Sequence, residues 1–195
     1  MSLVKNRGFS VLPKRVGRKG NLMLNGNIVL IGFMGSGKSS VGTYLSKILN
    51  MKYISTDDII EEREKMKIKK IFKEKGEKYF REKEKEVISE VSNFDGCVIA
   101  TGGGVVLNWD NVENLRKNGT IFFLKTKGDV IYERIKGDKQ RPLLSVDDPI
   151  SAIKRILRAR LALYKEAADY VIDTSALSIT EVADRVIKKI KGEKK

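Results

Sequence analysis

Residues Asn27 to Ser40, NIVLIGFMGSGKSS, constrain this chain more than any other stretch. The apolar run Ile28–Ile31 stops at Gly32, and Gly32 to Ser39 reads GFMGSGKS, a fit to G-x-x-x-x-G-K-[ST]. Val41, Leu45, Ile48 and Leu49 then recur at i, i+4, i+7 and i+8, the period of a helix burying one face. Strand, glycine turn and helix is the setting this motif requires. Glycines let the backbone curl until successive N–H groups face one anion, at a helix N-terminus whose dipole adds positive potential. Gly35, Ser36, Gly37 and Ser40 would line that cradle, Lys38 would reach the β- and γ-phosphates, and the Ser39 hydroxyl would ligate Mg²⁺. The alternative is a tight glycine turn before an ordinary helix, for which neither the matched lysine and serine nor the correct flanks are needed. The stretch therefore implies a site for a nucleoside triphosphate.

Downstream, strands and helices alternate. Met51–Ser55 reads as a short second strand, followed by Thr56-Asp57-Asp58 and a charged helical stretch over Ile59–Lys65. Ile68–Val91 is helical, with Phe80, Val87, Ile88 and Val91 on its buried face and Gly76 as a break. Cys97–Ala100 is an apolar strand ending in Thr101-Gly102-Gly103-Gly104. A helix over Asp110–Lys117 is expected to end at a glycine cap, Asn118-Gly119. Thr120–Leu124 follows as a strand, Gly128–Ile135 as a helix and Gly137–Pro149 as a polar loop. Ile150, Ile153, Leu157, Leu161 and Tyr164 mark a long amphipathic helix, and Tyr170–Asp173 a last strand. Ser178 and Glu181 form a capping box for the final helix, with Val182, Val186 and Ile190 facing inward. The alternation predicts an α/β fold, a parallel sheet covered on both faces.

At 195 residues the chain has room for one domain with a real core. No apolar run approaches the roughly 18 residues needed to span a bilayer. Cys97 is the only cysteine, which excludes disulfides and cysteine-cluster metal sites and suits a reducing cytoplasm. Histidine is absent, so any proton acceptor must be a carboxylate or a lysine. Residues 1–26 hold six basic side chains, no acidic ones and no sustained periodicity, and read as a flexible basic arm ahead of a domain over 27–191, with 192–195 a charged tail. A transit peptide is the competing reading of the arm. A net charge of +14 suits anionic ligands or nonspecific attraction to nucleic acid, and a plain surface bias toward lysine explains it equally well.

In parallel sheets ligands gather at the carboxyl ends of the strands. Those ends supply Gly32–Ser39, Ser55–Asp58 and Thr101–Gly104. Asp57 could orient or deprotonate an acceptor hydroxyl, or could simply cap its helix. Gly102, Gly103 and Gly104 could admit a ligand to the backbone, or make a plain turn. Arg81 and Arg160 have the fork that recognises a carboxylate, yet they are two of 39 basic residues. Arg141, beside Pro142 in the polar loop, could carry a cation on a closing lid.

Taken together in order and spacing, GFMGSGKSSVG, STDDIIE, GEKYFREKEKEV, ATGGG, RPLL and RLALY make the chain, from Asn27 to about Ile190, resemble the shikimate kinase family. The resemblance implies a five-stranded parallel sheet of order 2-3-1-4-5, of the P-loop type. It implies transfer of phosphate from ATP, with Mg²⁺, to the 3-hydroxyl of shikimate, on the route to chorismate and the aromatic amino acids. Carried over by position, Asp57 becomes the carboxylate on the acceptor hydroxyl. Arg81 and Arg160 grip the shikimate carboxylate, Gly102 to Gly104 line its pocket and Glu84 holds Arg81. Arg141 becomes the lid arginine on the phosphates, and Arg134 packs on the adenine. A cytoplasmic monomer, with no specific nucleic-acid partner and no membrane, is expected.

Two positions depart from the family pattern. Ser55 stands where an aspartate behind the Mg²⁺ is common, which bears on metal affinity, and Ala162 replaces a proline. Two other readings remain: a kinase of the same fold for another polyol acid such as gluconate, and a noncatalytic relative that binds nucleotide and nucleic acid.

Overall fold

A computed structural model describes residues 26–137 and 146–192. Its strands are β1 (Asn27–Ile31), β2 (Lys52–Ser55), β3 (Cys97–Ala100), β4 (Gly119–Lys125) and β5 (Tyr170–Asp173). They form one parallel sheet in the order β2-β3-β1-β4-β5. β1 lies at the centre, and every residue in it is buried, because helices cover both faces and leave no solvent side to alternate toward.

The helices are α1 (Lys38–Ile48), α2 (Thr56–Glu64), α3 (Ile68–Val91), α4 (Trp109–Lys117), α5 (Gly128–Ile135), α6 (Pro149–Ala167) and α7 (Ile179–Ile190), with a 3₁₀ turn at Val105–Leu107. One face of the sheet packs Val29, Ile31 and Ile99 against Ile88 and Val91 of α3, Leu115 of α4 and Tyr164 of α6. The other packs Ile28, Leu30 and Phe122 against Val41 and Leu45 of α1 and Val182 and Val186 of α7. A smaller cluster, Phe33 with Ile131, Ile135 and Ile153, seats the loop after β1 on α5 and α6. The apolar period in the sequence thus located the buried faces, with one exception: Ile48, at the end of α1, is 46% exposed.

Two local details differ from expectation. α2 begins at Thr56, three residues earlier than its apolar pattern suggests, because Ser55 Oγ accepts the Asp58 N–H at 3.2 Å and caps it. Asp57 is therefore not the cap. α4 ends at Asn118, but Gly119 is the first residue of β4 rather than a left-handed cap. A side chain there would meet Leu115 O and Val29 Cγ2, both 2.7 Å from a Cβ, so close packing explains the glycine. Gly76, with φ 81° and ψ 169°, kinks α3 as expected. The Ser178–Glu181 capping box opens α7 as read.

Candidate active site

The carboxyl ends of β1, β2 and β3 open into a cleft of about 1230 Å³. It gathers Gly35–Ser40, Asp57, Arg81, Gly102–Gly104, Arg134 and Arg160. Arg141, residues 1–25 of the basic arm and the last three residues lie outside the described residues.

On the β1 side the loop is shaped by backbone. Gly35 (φ 73°) and Gly37 (φ 97°) take left-handed conformations that a side chain would strain, and Gly37 is also the N-cap of α1. The Lys38 ammonium is buried and donates to Gly32 O at 2.8 Å and Phe33 O at 2.9 Å, which folds it back over the loop. Ser39 and Ser40 are exposed on the first turn of α1. Behind them, Thr174 Oγ1 donates to Ser36 O at 3.3 Å and ties the loop to the end of β5. Arg134 of α5 bridges the same elements, donating to Thr174 O at 2.8 Å and Gly35 O at 3.4 Å.

On the β2–β3 side the site is made of side chains from distant elements converging on three glycines. A Cβ on Gly102 would stand 2.7 Å from Asp57 Oδ1 and 2.9 Å from Glu84 Oε1, so both carboxylates point at that backbone. Gly102 N donates to Thr56 Oγ1 at 3.2 Å, which fixes the turn beside α2. Gly103 O accepts from Arg160 Nη1 at 3.2 Å and from the Tyr164 hydroxyl, one turn further along α6. Gly104 lies directly under the Arg81 guanidinium, where any Cβ would overlap Nη1, Nη2 and Cζ.

Arg81 is held on several sides. Nη1 donates to Glu84 Oε2 at 2.7 Å, and Nε and Nη2 donate to Glu77 Oε1 at 3.2 and 3.0 Å. Its Cζ also sits 5.2 Å from the Phe80 ring centroid and 6.0 Å from that of Phe72. Burial disfavours its charge, but Glu84 and Glu77 outweigh burial and keep it firmly protonated. Glu84 is 1% exposed at its side chain, and burial pushes its carboxyl above the ordinary range against the pull of Arg81. Its Oε1 is buried with no hydrogen-bond partner among the described residues. Burial likewise pushes the Tyr164 phenol up to about 12, with Arg160 opposing, so it stays a donor at neutral pH.

Sequence reasoning passed over Tyr164 as a polar group, Thr56 and Phe72. In sequence Tyr164 reads only as an apolar position of α6, and nothing in the spacing shows that its hydroxyl reaches the glycine turn.

The arrangement combines an anion cradle, a carboxylate beside a backbone turn, and two guanidinium groups on the far wall. Comparisons with known proteins agree in one direction. The sequence profile described as "Shikimate kinase" matches residues 34–191. The shikimate kinase of Thermodesulfovibrio yellowstonii is 47% identical over 162 residues, 83% of this chain and 93% of that protein. That of Caldanaerobacter subterraneus is 46% identical over 169 residues, 85% of this chain and 98% of that protein. Among solved structures, shikimate kinase from Acinetobacter baumannii in complex with shikimate superposes with a TM-score of 0.83 at 34% identity, covering 87% of this chain and 95% of that one.

Proposed function

The chain belongs to the shikimate kinase family, and on that premise we propose that it transfers the γ-phosphoryl group of ATP to the 3-hydroxyl of shikimate, releasing ADP and shikimate 3-phosphate. The observation that carries this reading is the meeting, in one cleft, of the Gly35–Ser40 cradle with the corner built by Asp57, Arg81, Arg160 and the triple glycine.

ATP lies with its phosphates in the cradle and its adenine against Arg134. Lys38 leaves the loop carbonyls for the β- and γ-phosphates. Shikimate lies with its carboxylate toward Arg81 and Arg160, whose forked N–H groups match two oxygens. Its ring rests on Gly102–Gly104, where the absent Cβ atoms leave room. Glu84 keeps the Arg81 fork turned to the pocket. Asp57 accepts the 3-hydroxyl hydrogen and aims the oxygen at the γ-phosphorus. As the O3–P bond forms and the bond from phosphorus to the β,γ-bridging oxygen breaks, the proton passes to Asp57 and ADP leaves. Arg141 supplies a further cation over the transferring group from the segment between α5 and α6.

Family kinases that use ATP generally need Mg²⁺, and the donors here fit it. Ser39 offers a hydroxyl, Asp57 and Asp58 offer carboxylates, and no cluster of three or more His, Cys, Asp or Glu occurs among the described residues. Mg²⁺ takes few protein oxygens when phosphates and water complete its shell. Held by the Ser39 hydroxyl, it would supply positive charge that offsets the negative charge of the phosphates. No helix among the described residues is long and apolar enough to cross a membrane. We read the protein as a cytoplasmic monomer of one domain over 27–191, preceded by a basic arm, without a specific nucleic-acid partner.

Phosphorus NMR of the product tests the reading. The expected product carries a single phosphate monoester on O3 of shikimate; a phosphate elsewhere on the ring, or none, overturns the placement of Asp57.

A further inference from the structure

Two donors on α6 share one acceptor. Arg160 and Tyr164, about one helical turn apart, both donate to Gly103 O, the arginine through Nη1 at 3.2 Å and the tyrosine through its hydroxyl. A carbonyl oxygen has two lone pairs and can serve both. The donors differ in how they are held. Tyr164 is wholly buried, and its ring stacks on Phe123 of β4 with centroids 4.8 Å apart and planes at 14°. Its hydroxyl is therefore aimed by a ring with no room to swing away. Arg160 is half-buried, lines the cleft on a flexible stem, and rests on a neutral oxygen. Arg81, by contrast, is tied to the carboxylates of Glu84 and Glu77.

Gly103 is hemmed in on its other side by the nucleotide loop, where a Cβ would stand 3.4 Å from Met34 N and 3.6 Å from Gly32 O. An incoming carboxylate is a stronger partner for a guanidinium than a carbonyl is, being charged and able to take two N–H groups at once. Drawing Arg160 away removes one of the two hydrogen bonds to Gly103 O, under a ring that keeps water off the turn. Tyr164 is the donor that stays.

We propose that Gly103 O is the resting place of Arg160 and that Tyr164 is the positioning residue that permits its release. The shikimate carboxylate takes the guanidinium from the carbonyl, while the Tyr164 hydroxyl keeps that carbonyl paired and the glycine turn in place. The proposal rests on the shikimate reading of the acceptor wall. It follows that the hydroxyl matters for binding the acid only where an arginine stands at position 160.

Calorimetric titration with shikimate, and separately with a nonhydrolysable ATP analogue, tests this on wild type, Tyr164→Phe, Arg160→Met and the double variant. Tyr164→Phe keeps the ring on Phe123 and removes the hydroxyl alone. It is expected to raise the shikimate dissociation constant about 5- to 100-fold, with analogue affinity unchanged. In the Arg160→Met background Gly103 O has no arginine to lose, so adding Tyr164→Phe should weaken shikimate binding no further. Unchanged shikimate affinity for Tyr164→Phe overturns the proposal. So does an equal fold-loss in both backgrounds, which would make the hydroxyl a plain brace for the turn. Where Arg160→Met binds too weakly to titrate, crystal structures of the wild type with and without shikimate decide. Arg160 is expected to leave Gly103 O on binding while Tyr164 remains, and an Arg160 still seated there in the complex overturns the exchange. Failure of the shikimate reading is distinguishable: the wild type itself would then bind the analogue but not shikimate.

Discussion

The two walls of the cleft are built in opposite ways. The nucleotide wall is one continuous stretch, Gly32–Ser40, whose shape comes from backbone turns at Gly35 and Gly37 and whose charge comes from Lys38 and the start of α1. The acceptor wall draws Asp57, Arg81, Glu84, Arg160 and Tyr164 from α2, α3 and α6, more than a hundred positions apart in sequence, onto three glycines after β3. A phosphate chain is recognised by many equivalent N–H groups, which a single loop provides. A ring acid with several hydroxyls needs unlike groups at fixed angles, and only tertiary structure brings those together. The nucleotide wall should therefore fail as a unit, whereas the acceptor wall should fail selectively, for shikimate and not for ATP.

The sharpest break is Lys38→Met. It removes the cation proposed for the β- and γ-phosphates and also the tie to Gly32 O and Phe33 O. Turnover is expected to fall on the order of 10³-fold or more, with ATP affinity reduced as well. Steady-state kinetics and ATP titration check this, and activity within a few-fold of wild type would remove the cradle from the reaction.

Asp57→Asn comes next. A neutral amide cannot take the hydroxyl proton, and kcat is expected to drop about 10²- to 10⁴-fold. Because Ser55 rather than Asp57 caps α2, the melting temperature should hold. ATP binding unchanged by calorimetry, with kcat lost, would place the defect on the acceptor wall alone.

Gly104→Ala sharpens the contrast further. The new methyl would overlap the Arg81 guanidinium, the end of a side chain rather than backbone, so Arg81 is pushed off its Glu84 and Glu77 contacts while the backbone need not move. Each charged hydrogen bond proposed for the shikimate carboxylate, if left unmade, costs about 1.5–3 kcal/mol. A rise in the shikimate dissociation constant of about 10- to 100-fold is expected, matching Arg81→Lys and Arg160→Lys, with ATP affinity near normal. Equal losses for both ligands would contradict the division of the cleft.

The smallest expected effect is that of deleting residues 1–25. This stretch lacks the apolar periodicity needed to join a core, so melting temperature and turnover should stay within error of the full chain. A large fall in either would show that the arm takes part.

The same division explains what could be read in the sequence. The P-loop, the strand order implied by the resemblance and the buried faces of α3 and α7 were legible, because a contiguous motif and a regular apolar period are local properties. On the acceptor wall, Arg81 and Arg160 were indistinguishable from the other basic residues until family resemblance singled them out. The polar role of Tyr164 was not legible at all. In sequence it looks like an ordinary apolar residue, and its hydroxyl matters only through Gly103 O, on another element. Gly119 misled for a related reason: in sequence it reads as a helix stop, whereas in space it clears Leu115 and Val29.

The central claim, that both walls serve one transfer to shikimate, is tested most directly by coupled ADP release with shikimate and gluconate supplied in parallel at saturating ATP and Mg²⁺. Release that depends on shikimate, with gluconate no better than the buffer blank, is the expected result. Release driven by gluconate, or none with either acid at any Mg²⁺ concentration, would contradict it.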